Sequence, residues 1–211
     1  ESVLRQIIQV KVIGKEAAIE KVQLATDEKE EADYRAKTVF DSIPAKDKQT
    51  QGIELKVLSK IFEENKLAQK MYNVQMGKLK IDYAANTLSA AKVELIYQAA
   101  NAKNKETVKN TMSRILSKVT SSQNSFYTVA KNKTQADAIE YVIGNQDSRT
   151  NLAKAVVSLK KNQTSALIEE KDGFYIAHCI QTNSAALQHQ YRNQLVSEKQ
   201  TESFQKTYKT W

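Results

Sequence analysis

With 211 residues, 41% of them hydrophobic, the chain can bury one large core or two small ones. Only 5 Gly and 1 Pro argue for a mainly helical protein. No apolar run approaches the ~20 residues of a membrane span, and the single cysteine, Cys179, excludes an intramolecular disulfide and a multi-cysteine zinc site.

The formal charge of +8 is uneven: residues 1–90 hold 15 Lys and Arg against 14 Asp and Glu, whereas residues 91–211 hold 17 against 10. No run of Lys or Arg exceeds two, so the basic half reads first as a solvated surface and second as one drawn weakly to an anionic envelope or membrane. The chain opens at Glu1 without a signal pattern, and further residues are expected upstream of it.

From the start, Val3, Leu4, Ile7, Ile8, Val12 and Ile13 recur mostly three and four apart, which predicts an amphipathic helix with a wide buried face over Val3 to Leu24. Asp27 and Glu30 have the spacing of a capping box, so a second helix is predicted from there to about Ile43, stopping before Pro44. Lys46 to Gly52 reads as polar loop. A third helix is predicted from Ile53 to about Met76, with Gly77 as its cap.

Residues 78–91 read as a linker. Lys92 to Tyr97 reads as a strand, Lys103 to Val119 and Phe126 to Ala130 as helices, and Glu140 to Gly144 as a short segment before a loop. The clearest stretch is Leu152 to Ile180. It reads as a short helix, then a hairpin turning at Asp172-Gly173 into Phe174 to Ile180, which is rich in aromatic and β-branched residues. Alternation puts Cys179 beside Tyr175 and Ala177 as a buried thiol, and His178 on the opposite face. In the last stretch Leu187, Tyr191 and Leu195 form one helical stripe, and Phe204, Tyr208 and Trp211 a second, about half a turn out of phase. The second stripe is expected to pack on the N-terminal helices.

AVVSLKKNQTSALIEEKDGFYIAHC resembles the closing segment of parvulin-type (PpiC-type) prolyl isomerase domains. VLRQIIQVKVIGKEAAIEKVQLATDEKEEADY looks like the N-terminal region of SurA/PrsA-type extracytoplasmic foldases. The resemblance implies an α+β, mainly helical protein. Residues 1–90 would be a helical chaperone-like segment, 91–183 a parvulin-like domain, and 184–211 a C-terminal helix returning to the N-terminal segment. It also implies a protein outside the cytoplasm, anchored at the cell surface through an upstream lipid, with unfolded secreted polypeptides as partners and neither cofactor, metal nor nucleic acid.

Parvulins carry two coupled histidines, one in a "HIL" strand and one in the last strand's "GYHI". Their places are held here by Glu94 and Tyr175, so isomerase activity is expected to be weak or lost. Client contacts are expected at Leu152 in the parvulin-like domain and at Phe62, Met71, Tyr72 and Met76 in the helices, unless these simply pack in the core. The alternatives are a working isomerase with a substituted site and a non-catalytic helical scaffold. There is no GxSxG, phosphate-binding glycine loop or dinucleotide fingerprint, which sets hydrolase and nucleotide chemistry aside.

Overall fold

The computed structural model describes residues 3–84, 87–121 and 125–211. The join expected over 78–91 falls partly outside the described residues. Eight helices and four strands are seen among them. The chain divides into two compact units, one of residues 1–81 with 198–211 and the other of residues 82–197.

In the first unit, α1 (Val3–Ile19), α2 (Thr26–Ser42), α3 (Ala45–Gln51) and α4 (Leu55–Gly77) follow one another with short connections. α1 stops earlier than its apolar pattern suggests because Lys21 turns left-handed at φ 57° and the Val22 amide donates back to the Ala17 carbonyl at 2.7 Å. The cap of α2 lies two residues before the expected box: Ala25 is the N-cap, and its amide donates to Glu28 Oε2 at 2.8 Å. The expected loop after Pro44 is instead α3, since proline sets a helical φ at the entry and Gly52 closes the helix at φ 62°.

Small residues Ala32 and Ala36 are buried on α2, the helix that packs on α4. The core joins Ile13, Ala17 and Met71, with Phe204, Tyr208 and Trp211 from the chain's end packed against it. The wide buried face expected for α1 is confined to its second half, and Val3, Leu4, Ile7 and Ile8 stay 50–70% exposed.

The second unit is an antiparallel sheet of order β2-β1-β4-β3, made of β1 (Ala90–Ala99), β2 (Glu140–Gly144), β3 (Ile168–Glu170) and β4 (Gly173–Gln181). α7 (Thr150–Ser158) covers one face, burying Leu152 and Val156 on Val93, Leu95, Ala177 and Cys179. α5 (Lys105–Thr120) and α6 (Phe126–Lys133) cover the other through Met112, Ile115 and Phe126 on Ile96, Phe174 and Ile176.

The first half of α8 (Ala185–Tyr208) buries Tyr191 and Leu195 with Leu88 and Ala90. Gly144 is needed there, because a Cβ would stand 2.3 Å from the Tyr191 ring. The two stripes of α8 thus belong to different cores, as their phase difference requires.

Candidate functional site

Two side chains that work as a coupled pair must share a face of the sheet, and strand register decides which do. Tyr175 lies opposite Tyr97, whereas Glu94 lies opposite His178 and, on its other side, Glu140. Tyr97 is three positions after Glu94, an odd step along the strand, so Glu94 and Tyr175 sit on opposite faces. Glu94 and Tyr175 therefore do not meet across the sheet.

The geometric pair is Tyr97 with Tyr175, whose rings stack at 4.6 Å with 25° between planes. Sequence reasoning missed Tyr97 because motif resemblance carries no information on the register of β1 against β4. The length of β1 and its alternation with Leu95 and Val93 were the signals that could have found it.

A polar network closes over this pair. Tyr175 Oη donates to Asp172 Oδ2 at 2.5 Å, and Tyr97 Oη donates to the Asp172 carbonyl at 3.1 Å. Asp172 sits in the tight turn before β4, where a Cβ on Gly173 would stand 2.2 Å from the Gln98 carbonyl oxygen. That contact makes glycine obligatory at the point where the hairpin meets β1.

Arg149 lies 5.6 Å from the centre of the Tyr175 ring and is fixed by Asp147 through Nε to Oδ1 at 2.9 Å and Nη2 to Oδ2 at 2.7 Å. Burial, reinforced by the Asp172 hydrogen bond, pushes the Tyr175 phenol well above the usual range. The Asp147 hydrogen bond raises Arg149 further above its already high value. Both tyrosines are therefore neutral donors at physiological pH, and Tyr175 is only 3% exposed.

On the far face the remaining polar groups are differently set. Burial, then the charge of Glu140, raises the Glu94 carboxyl. His178 faces away from Tyr175, shares a 2.9 Å hydrogen bond between Nδ1 and Thr164 Oγ1, stacks on Phe126 at 5.3 Å, and is held below its usual value by burial. His189 is on the surface of α8 near Asn193. Cys179 is fully buried, and burial raises its thiol. Among the described residues no group of His, Cys, Asp and Glu could hold a metal ion.

The expected client contacts divide. Leu152 and Met71 are fully buried and Met76 nearly so, each filling a core, and so they present no surface to a client. Tyr72 is half-buried and meets Phe204 edge-on at 4.9 Å. Phe62 lines an open groove of about 470 Å³, where Ala32, Phe62 and the exposed Ile61 lie among Glu31, Arg35 and Lys66.

The PpiC-type peptidyl-prolyl isomerase (rotamase) domain model matches residues 91–181. Comparison with curated proteins finds no match. Among solved structures, the PrsA peptidylprolyl isomerase of Bacillus anthracis is 15% identical over 99% of this chain and 97% of its own, with a TM-score of 0.51. A PpiC-type isomerase domain is 21% identical over 48% of this chain and 98% of its own, with a TM-score of 0.43. A SurA-like chaperone of Campylobacter jejuni is 13% identical over 98% of this chain and 83% of its own, with a TM-score of 0.38. Residues 91–181 thus match the PpiC-type rotamase domain, within a chain that shares the fold of the Bacillus anthracis PrsA.

Proposed function

We propose that the chain is an extracytoplasmic folding factor that holds unfolded polypeptides on the aliphatic surface of its helical unit, with prolyl isomerisation weak or lost. The observation that carries this reading is the first two turns of α1, where Val3, Leu4, Ile7 and Ile8 are each at least half exposed. Val57 and Ile61 add exposed aliphatic surface on α4. A folded chain leaves such surface to water at a cost, and its use is to meet apolar segments of another polypeptide. The shared fold with the PrsA of Bacillus anthracis agrees with it.

A location outside the cytoplasm follows the same relatives, one of them described alongside a periplasmic protein. No helix among the described residues is long and apolar enough to cross a membrane.

Loss of isomerisation rests on the site itself. Twisting a prolyl amide needs a pocket for the ring and free donors aimed at the twisted bond. Here the donors are engaged by Asp172, and the Tyr175 phenol has no open approach. The competing reading, an active isomerase with a substituted site, draws on the match at 91–181 and on Tyr175 and Arg149 lying on one face.

The test is suppression of light scattering by a denatured, aggregation-prone client at stoichiometric amounts of the chain. Protection is expected. The double substitution Ile7→Ser and Ile8→Ser should weaken it roughly tenfold or more, since each buried aliphatic side chain is worth ~1.5–3 kcal/mol. No protection by the unsubstituted chain would leave the scaffold reading in its place.

A further inference from the structure

Most of the protein's net charge of +8 resides in one helical hairpin. Residues 103–133, which include α5 and α6, carry seven Lys and Arg against a single acid, Glu106. All seven are exposed.

In the helical unit Lys11, Lys66, Lys70 and Lys78 each meet a glutamate, and its remaining cations are interspersed with acids. In the hairpin, among the described residues, Lys105 pairs with Glu169 at 2.6 Å and Lys109 lies in the field of the same carboxylate. No ion pair holds Lys103, Arg114, Lys118, Lys131 or Lys133 there. Cations gathered this way repel one another and add nothing to the core, so an anionic surface outside the molecule is what would offset them.

The chemistry of that surface can be narrowed. The apolar faces of α5 and α6 are already buried on the sheet. What faces outward on α5 between the cations is Thr107, Asn110, Ser113 and Ser117, all exposed, and no acid follows Glu106 until Asp137. This is no seat for an apolar polypeptide.

Six of the seven cations are lysines, which act as mobile point charges and suit many diffuse phosphodiesters better than one bidentate anion. One aromatic is exposed among them. Tyr127, 47% accessible, stands one helical turn before Lys131 on α6, an apolar ring with a polar tip at the level where lipid headgroups would lie.

We propose that the outer surface of α5 and α6 docks on an anionic phospholipid bilayer, through Arg114, Lys118, Lys131 and Lys133 with Tyr127 at the headgroup level. The contact depends neither on client binding nor on a lipid anchor. It brings the parvulin-like unit itself to the membrane.

The experiment is sedimentation of the whole chain with phosphatidylcholine vesicles, with and without a one-third share of phosphatidylglycerol, at low and at high salt. Binding is expected only with phosphatidylglycerol, weakening steeply with salt. Arg114→Gln, Lys118→Gln, Lys131→Gln and Lys133→Gln together should lower it at least roughly tenfold, each cation near an anionic surface being worth about fivefold.

A control with the same change of net charge elsewhere, Lys29→Gln, Lys46→Gln, Lys56→Gln and Lys60→Gln, should bind as the parent does. Unaltered circular dichroism confirms that both variants are folded, since every substituted side chain is exposed. Equal losses in the two variants, or no phosphatidylglycerol-dependent binding, would overturn the proposal. Retention on immobilised poly-glutamate without vesicle binding would also overturn it, making an acidic polymer the partner.

Discussion

At Tyr175 the phenol hydroxyl is held by Asp172 at 2.5 Å with the Arg149 guanidinium beside the ring. The Tyr175 hydroxyl is thus engaged by its own hairpin. Tyr175→Phe leaves Asp172 without that donor and should cost about 1–2 kcal/mol in denaturant unfolding, without changing the far-UV spectrum. The raised phenol also sets a pH dependence. The folded state keeps the proton that the unfolded chain gives up near pH ~10. This contribution is therefore complete below pH ~10 and is lost as pH rises toward the folded value; thermal melts from pH 8 to 11 should show a steep alkaline fall that Tyr175→Phe flattens. Glu94 follows the same rule at lower pH: its carboxyl is raised by burial and by Glu140, so ionising it at neutral pH opposes folding. Glu94→Gln should raise stability at pH 7 by on the order of 0.5 kcal/mol, and the gain should vanish below pH ~4, where the parent carboxyl is protonated in both states.

At the scale of elements, the β3–β4 hairpin and its tight turn position the whole tyrosine network. Gly173→Ala would drive a methyl group to 2.2 Å from the Gln98 carbonyl and should destabilise the sheet unit by more than ~2 kcal/mol, seen as a lower melting temperature with aggregation protection retained below it. The hairpin was legible in the sequence because Asp172-Gly173 and the run from Phe174 to Ile180 agree on both turn chemistry and strand period. The strand register was not, since a one-residue slip changes the face of every side chain and no local signal fixes β1 against β4. Tyr97, the neighbour of Tyr175 across the sheet, is therefore not legible from the sequence alone. α3 was missed for a related reason: AKDKQTQ has no apolar periodicity, and only Pro44 and Gly52 at its ends mark it as a helix. The start of α1 is legible in its apolar pattern but neither its end at Ile19 nor its burial is, because the same aliphatic spacing serves a core in the second half and an exposed surface in the first.

At the scale of the molecule, the two stripes of α8 were readable from their phase. Phe204, Tyr208 and Trp211 pack with Ile13, Ala17 and Met71. Partly burying three aromatics should contribute about 3 kcal/mol or more, a large share of a domain's net ~5–15 kcal/mol. Truncation after Ser203 should therefore speed amide exchange across α1 and α4 while leaving the sheet unit protected; full protection of both helices would refute the role given to this end of the chain. Closure of the parvulin face was not legible, because it depends on Arg149 and Asp172 meeting Tyr175 from separate loops. The central claim is that a chain with this domain binds polypeptides without isomerising them. It is tested most directly by a protease-coupled assay of cis-to-trans conversion in proline tetrapeptides. At micromolar concentrations of a chain that protects an aggregating client, the rate should equal that of the uncatalysed reaction; turnover well above that background, abolished by Tyr175→Ala, would contradict the account.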